Sequence, residues 1–316
     1  MQTMHGTQPQ PISPGPRDRI GTSTLTAIEA RLAALLHLDR ALGSGWARAS
    51  AEGELAIMTA LQGQAVRDKT IGAKLHELMA LATGIAGWTA YDDGDHATAA
   101  LHYRSAIKLA DTGRAAEVGA YFATLLASQH CTTGHPAAAL DLLESRAAAA
   151  RHAAPSTQTA AALHLVAARA HAALNDTTTC LRELGDACSA LETSTQPMAR
   201  SLASWLTTSS LEIETGRILL ALDRPRQACR HIDTSDISDV GRHLGARQEC
   251  IYRTYAAQAH LRVGNLDVAI EHAHRAQDCL DAVVSFRAAA SMERLRRNIS
   301  SFAGTPQSRE FLRRRA

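Results

Sequence analysis

The chain has 316 residues, of which 46% are hydrophobic and 4% aromatic, and its formal net charge at pH 7 is +2. This length exceeds the usual size of one compact core, so we expect either two domains or an array of repeats. The basic residues are spread among acidic ones, which argues against a broad positive surface for nucleic acids or anionic membranes. An alanine-rich composition with few β-branched runs predicts helices.

No segment has the roughly 20 consecutive apolar residues that cross a bilayer, and the N-terminus lacks the apolar region of a secretory signal. The six cysteines form no closely spaced Cys-x-x-Cys pair, which is typical of reduced cysteines that fill a core. We therefore expect a cytoplasmic protein without a membrane association.

The first part of the chain predicts a leader followed by three helices. Residues 1–22 contain four prolines and no apolar periodicity, so they are predicted to be disordered. An apolar helical stripe then runs from Leu25 to Leu42 and stops at Gly43. A second helix is predicted over roughly 46–61, and a third begins near Asp68. These helices match the later repeat poorly, as expected for a capping segment.

The stretch 87–111 carries the clearest pattern in the chain. Gly87 suits a close approach of two antiparallel helices, and Gly94 suits the turn between them. Small and apolar residues then recur on one face of the second helix. The same pattern occurs in five places, with turns predicted at Gly94, Gly134, Asn175, Asp223 and Gly264. The sequence therefore predicts about five helical hairpins within residues 23–302.

The remaining segments predict one loop and two further helices. The Ser- and Asp-rich stretch from Asp233 to Gly241 is predicted to be a loop. An amphipathic capping helix is predicted over 283–300, and a short helix starts at Pro306 within a C-terminal tail, 303–316. Each hairpin exposes an apolar face that only its neighbours can cover. The predicted fold is therefore all-α, a right-handed superhelical α-solenoid of hairpins with capping helices.

In such an array the first helix of each hairpin lines an inner groove. The repeat register places aromatic side chains at one end of this groove and arginines along the rest. The predicted groove residues are Trp88, Tyr91, Asp92, Tyr121, Thr124, Ser128, Arg169, Ile213, Arg217, Gln258 and Arg262. Guanidinium groups on a concave wall suit a carboxylate, such as a peptide C-terminus. The alternative is that each arginine pairs with a neighbouring acid, such as Glu212 or Glu214.

The sequence contains no recognisable catalytic or metal-binding motif. It lacks a Gly-x-Ser-x-Gly elbow, a phosphate-binding loop and a Cys/His ligand quartet. His130, His171 and His260 fall at one equivalent repeat position, where we expect them to pack and to bond backbone groups. Asp92, Asp93 and Asp95 are interpreted as turn and capping residues. We predict no enzyme activity, no metal and no cofactor.

Three segments carry a resemblance to a known family. They are Ala86-Gly-Trp-Thr-Ala-Tyr-Asp-Asp-Gly-Asp, Ala167-Ala-Arg-Ala-His-Ala-Ala-Leu-Asn-Asp and Glu310-Phe-Leu-Arg. They resemble the tetratricopeptide repeat (TPR) sensor half of actinobacterial helix-turn-helix regulators of the Xre type, over about residues 25–316. Those regulators place a DNA-binding domain before the TPR half. The leader of this chain is too short and proline-rich for that domain, so we expect no direct operator binding.

The resemblance and the groove together imply a regulatory function. We expect a non-enzymatic regulatory or adaptor protein, in transcriptional or developmental control, whose groove binds a peptide, a protein partner or a small signal. A separate DNA-binding regulator is one such partner, whereas direct contact with nucleic acid is not expected. The alternative is a small-molecule-binding accessory protein or enzyme of secondary metabolism, with aromatic residues of the groove lining an apolar pocket. The sequence leaves open a homodimer.

Overall fold

The computed structural model describes residues 20–65, 68–150, 156–193 and 202–314. In these ranges the chain is helical apart from turns and one isolated bridge between Gly43 and Val284. The helices are α1 (Thr22–Leu42), α2 (Ser44–Ala65), α3 (Lys69–Asp92), α4 (His96–Thr112), α5 (Ala116–Thr132), α6 (Pro136–Ala150), α7 (Thr157–Ala173), α8 (Thr177–Glu192), α9 (Thr208–Ala221), α10 (Pro225–Asp233), α11 (Ile237–Leu244), α12 (Ala246–Arg262), α13 (Leu266–Asp281), α14 (Phe286–Ser300) and α15 (Pro306–Arg313). The all-α prediction is confirmed for this part of the chain. Residues 1–19 of the predicted leader lie outside the described residues.

None of the helices in the described ranges combines the length and the apolar character that a bilayer-spanning helix needs.

The turns of the five predicted hairpins share one backbone conformation. All five turn residues have positive φ, namely Gly94 (81°), Gly134 (82°), Asn175 (61°), Asp223 (58°) and Gly264 (85°). Glycine enters this left-handed region at little cost, and asparagine and aspartate enter it more readily than other side chains. Each turn lies between two helices that pack on each other, which gives the pairs α3/α4, α5/α6, α7/α8, α9/α10 and α12/α13.

Two glycines allow close packing within these hairpins. A Cβ added to Gly87 would lie 3.0 Å from the Tyr103 ring, and one added to Gly216 would lie 2.5 Å from Ile232. Tyr103 and Ile232 are themselves buried. The two helices of the first and fourth hairpins therefore approach at a distance that a larger residue would not allow.

Helix α1 and the first helices of the five hairpins form a closed ring. Along the chain, α1, α3, α5, α7, α9 and α12 each contact the next member of the series, and α12 also contacts α1. The Gly43–Val284 bridge joins the end of α1 to the residues before α14 at the same junction. The helix array therefore returns to its own start and surrounds a central space.

The predicted loop over Asp233 to Gly241 is wrong, because most of it is helical. Helix α11 begins after Asp236, whose side chain accepts a hydrogen bond from Asp239 N at 2.9 Å. Ile237 and Val240 lie three residues apart and are both buried. The aspartate that suggested a loop is thus a helix cap, and burial of these two side chains holds the short helix in place.

The C-terminal helix α15 packs on the end of the array. Phe311 is fully buried in the same apolar cluster as Met292 and Leu295 of α14. The His274 ring meets the Phe311 ring edge-on, with 5.3 Å between the centroids. Residues 306–313 therefore belong to the packed structure and cover its last hairpin.

Two of the three equivalent histidines, His171 and His260, bond carboxylates and not the predicted backbone groups. His171 Nδ1 lies 3.2 Å from Asp176 Oδ2, and His260 Nε2 lies 3.0 Å from Asp233 Oδ1. Asp176 is the N-cap of α8, and Asp233 is the last residue of α10. These carboxylates lie within reach of the two rings, whereas backbone carbonyls inside helices are already bonded to backbone N–H groups.

His272 makes the stability of the last hairpin depend on pH. Its ring stacks on His260 at 5.8 Å, and burial, with the positive charges of Arg253 and His260, lowers the pKa of His272 to about 4. The unfolded chain binds this proton below about pH 6.5, but the folded chain binds it only below about 4. Stability is therefore expected to fall as the pH drops from 6.5 to 4, by about 1 to 2 kcal/mol after allowance for partial exposure.

Urea unfolding at pH 7 and pH 5 measures this effect. His272→Gln should lose less stability than the unmodified protein between the two pH values. His243→Gln is the control, because its side chain is 71% exposed. An equal pH dependence in the His272→Gln variant and the unmodified protein would show that His272 does not carry it.

Candidate functional site: the central cavity

The ring of helices surrounds a central cavity of about 1180 Å³. Its walls come mainly from α1, α3, α5, α7, α9, α12 and α14, while the described residues of α2, α6, α8, α10, α13 and α15 contribute none to the lining. This volume slightly exceeds the roughly 300 to 1000 Å³ of typical small-molecule sites. The inner helices therefore build one large site, and the outer helices support it.

Nine of the eleven predicted groove residues line this cavity. They are Trp88, Tyr91, Tyr121, Thr124, Ser128, Arg169, Arg217, Gln258 and Arg262. The helical register deduced from the repeat thus places side chains from five different helices on one surface. Neighbouring positions on the same helix are three or four residues apart, as an inward-facing helical stripe requires.

Two predicted groove residues do not line the cavity. Ile213 is fully buried in the apolar core shared by α9, α12 and α14, because α9 turns this position toward its neighbour. Asp92 is also fully buried, and it pairs with Arg247 of α12 at 3.2 Å. Interpretation of Asp92 as a turn residue is therefore wrong as well, whereas Asp95 does cap α4 by accepting from Thr98 N at 3.1 Å.

A buried polar cluster closes the ring beside the cavity. We call it the closure cluster, and its members are Asp39, Ser44, Asp92, Arg247 and Ser285. The Arg247 guanidinium meets Asp39 with two hydrogen bonds, Nη2 to Oδ2 at 2.6 Å and Nη1 to Oδ1 at 3.1 Å. Ser285 Oγ donates to Asp92 Oδ1 at 3.0 Å. These contacts join the start of the array to its end.

In the closure cluster, opposite charges and hydrogen bonds offset the cost of burying charged groups. Burial alone would raise the pKa of Asp39, but hydrogen bonds and the positive charge of Arg247, with donors from Trp88 and Ser44, hold it below its usual value. The same pairing raises the pKa of Arg247 despite its burial. Both groups therefore stay charged in a region that is almost closed to water.

Aromatic rings and an arginine cover the cavity side of the closure cluster. Trp88 Nε1 donates to Asp39 Oδ2 at 3.0 Å, so the indole ring is held in place. The Arg287 guanidinium lies over the Trp88 ring at 4.9 Å and over the Tyr91 ring at 5.0 Å. Cation–π contacts of this kind are strongest where water is excluded. They fix an aromatic surface at this end of the cavity.

The three arginines predicted to line the groove have different partners. Arg217 pairs with Glu214 at 2.5 Å, and Arg262 pairs with Asp223. The alternative of neighbouring acids is therefore confirmed for these two residues. Arg169 instead donates to two hydroxyl groups, Ser128 Oγ at 2.9 Å and Thr132 Oγ1 at 2.8 Å.

Sequence reasoning missed several cationic residues of this site. Within the described ranges, the lining arginines are Arg40, Arg169, Arg217, Arg247, Arg262, Arg287 and Arg294. The lining carboxylates are Glu29, Asp39 and Glu214, so the wall has an excess of four positive charges. Arg287 and Arg294 lie on α14, which was predicted as a cap. The spacing of Arg287, Ala290 and Arg294 on one face of α14 is a signal that could have found this surface.

A group of three potential metal ligands lies away from the cavity, on α7 and α8. His164, Glu183 and Asp186 place their ligand atoms within 4.8 Å of one another. Glu183 already bonds His164 Nδ1 at 2.8 Å and Arg182 at 3.0 Å. The Glu183 carboxylate is thus already occupied by these two partners. We interpret the three residues as a polar cluster on the outer surface and not as a metal site.

We compared the sequence with protein-family models and with curated proteins. No protein-family model matches the sequence, and no curated protein matches it.

Proposed function

We propose that this protein is a non-enzymatic regulatory protein of TPR-like α-solenoid architecture whose central cavity binds a small signal or a short peptide. The observation that carries this proposal is the central cavity of about 1180 Å³, lined by aromatic residues and arginines. Large apolar pockets with a few convergent polar groups are the usual form of ligand sites. The resemblance of the hairpins to TPR sensor halves supports a regulatory use of the bound ligand.

Closure of the ring favours a compact ligand over a long protein segment. A TPR-like array that remained open could hold an extended chain along its groove, with both ends continuing outside. Here α12 contacts α1, and the closure cluster joins the two ends. The same observation supports the second candidate, an accessory protein of secondary metabolism that holds a small molecule.

Regulation would act through the inner helices. A ligand that touches several of them binds differently to different curvatures of the array, and it can therefore shift the populations of those states. Arrays with mostly neighbour contacts can change curvature without breaking a core. A DNA-binding regulator is one class of partner that could respond to such a change.

To test the proposal, the protein is purified from its native cells under non-denaturing conditions and is then measured by native mass spectrometry. We expect one retained small molecule or short peptide per chain. An empty chain bound in fixed ratio to another protein would contradict the proposal and would support an adaptor.

Filling the cavity should remove the retained ligand. Ala290 on α14 is half-buried and lines the cavity, whereas its neighbour Ala289 is exposed and does not. Ala290→Trp is expected to lower the ligand-bound fraction about tenfold or more, because the indole occupies space that the ligand needs. Ala289→Trp is the matched control and should retain the ligand. Native mass spectrometry gives both fractions, and equal occupancy in the two variants would contradict a cavity-bound ligand.

A further inference from the structure

The wall formed by α7, α9 and the facing side of α5 carries an unneutralised positive charge. Arg169 bonds only the hydroxyl groups of Ser128 and Thr132, and it makes no ion pair with a carboxylate of the described residues. Arg217 stands close by, since both arginines also border a smaller pocket of about 210 Å³. Glu214 neutralises Arg217. The two arginines and this one glutamate therefore leave a single positive charge.

The guanidinium of Arg169 is held in position but is not saturated. Ser128 and Thr132 lie four residues apart on one face of α5, and each accepts from a different terminal nitrogen of Arg169. Thr132 Oγ1 is also bonded to Tyr91 OH at 2.9 Å. An arginine has five N–H donors, so three remain for another acceptor.

Two further donors, on α9 of this wall and on the adjacent α12, have no hydrogen-bond partner among the described residues. Arg217 Nε and Gln258 Nε2 are buried without a hydrogen-bond acceptor, and both residues line the cavity. Buried donors without a partner are costly, because they lose their water and gain nothing in return. Three successive inner helices, α7, α9 and α12, thus present N–H groups that an acceptor from a ligand would satisfy.

We propose that Arg169, Arg217 and Gln258 bind the carboxylate of a monoanionic ligand with an apolar body. The part of the wall around Arg169 and Arg217 carries a single net charge, which matches one carboxylate and not the higher charge of a phosphate group. The lining residues Tyr121, Tyr255 and Leu165 offer apolar surface for the rest of the ligand. This inference rests on the proposed function and adds the chemical class of the ligand.

The carboxylate has two sources, a free organic acid and the C-terminus of a short peptide. Two matched pairs of probes separate them by isothermal titration calorimetry. The first pair is anthracene-9-carboxylate and its neutral carboxamide. The second is the N-acetylated tripeptide Ala-Leu-Phe with a free C-terminus and with a C-terminal amide, so that the acid carries one negative charge and the amide none. We expect the acid of at least one pair to bind about tenfold or more tightly than its neutral partner.

Substitutions then test whether the preference for the acid over the neutral probe comes from this wall. Arg169→Gln removes the charge but keeps a donor for Ser128 and Thr132. It should lower the affinity for the acid about tenfold or more and change that for the neutral probe less than twofold. Arg182→Gln, on the outer helix α8 with a side chain 66% exposed, is the control and should change neither. Arg169→Lys keeps the charge and should bind the acid more tightly than Arg169→Gln, which shows that a loss is electrostatic and not a folding defect.

The outcomes separate the two proposals. Equal binding of acid and neutral probe, or an acid preference unchanged in Arg169→Gln, would overturn the carboxylate site while leaving a ligand-binding cavity. Absence of binding by all four probes up to millimolar concentration would overturn the carboxylate site as well. The proposed function is tested separately by native mass spectrometry. It would fail if the protein purified from its native cells retained no ligand.

Discussion

Replacing Arg247 by methionine is expected to lower the free energy of unfolding by about 3 to 5 kcal/mol. The methionine side chain fills similar space, but Asp39 and Asp92 lose the guanidinium that both contact. Asp39 is 3% exposed and Asp92 is fully buried. Two carboxylates would then lie in a water-poor region with hydroxyl and indole donors but without their main positive partner. Urea unfolding followed by circular dichroism measures the loss.

The matched control is Arg242→Met on α11. That side chain is 65% exposed and pairs with Asp239 on the surface, so the change should cost less than about 0.5 kcal/mol. A loss below about 1 kcal/mol for Arg247→Met would contradict the importance given to the closure cluster. Asp39→Asn combined with Arg247→Met should recover part of the loss, because one unpaired charge is removed.

Gly43→Ala is expected to destabilise the protein by about 3 kcal/mol or more and to loosen the ring. Gly43 has φ of 94°, where a side chain is strained, and an added Cβ would lie 2.3 Å from the carbonyl oxygen of Val284. The neighbour is backbone, so it cannot rotate away as a side chain can. Gly43 also has ψ of 174°, a conformation that essentially only glycine adopts. Backbone strain there accounts for about 1 to 3 kcal/mol, and displacement of the Gly43–Val284 contact adds the rest.

Gly264→Ala separates the strain from the clash. Gly264 has φ of 85°, but no atom lies within 4 Å of an added Cβ. Its substitution should therefore cost only the strain of about 1 to 2 kcal/mol. Small-angle X-ray scattering should show a larger radius of gyration for Gly43→Ala and an unchanged one for Gly264→Ala. Equal stability losses with identical scattering would contradict a role of Gly43 in closing the ring.

The helices and their turns could be predicted because their signals are local. A helix cap, a residue suited to positive φ and an apolar stripe all lie within a few positions of one another. Local signals also explain the error at α11, where Asp236 reads equally well as a loop residue and as a cap. Burial of Ile237 and Val240 decides for the helix, and that burial depends on the packed structure.

The cavity wall was predictable in part, and the closure of the ring was not. The repeat register placed Arg169 and Arg217 correctly on the inner face, since both lie on regular first helices of hairpins. It misplaced Ile213, because the angle at which α9 meets its neighbours decides whether this position faces the cavity or the core. Asp39 and Arg247 are 208 positions apart, and nothing in either neighbourhood identifies the other as its partner.

The distance along the chain between these two residues also bears on how the protein folds. Hairpins form from contacts between nearby residues, which makes their folding fast, whereas closure needs two segments from opposite ends. During synthesis at about 5 to 20 residues per second, Asp39 waits roughly 10 to 40 seconds before Arg247 has been added. Through that interval the first helices stand without their final partner, so we expect the nascent chain to fold as an open array that becomes a ring only after α12 has been made.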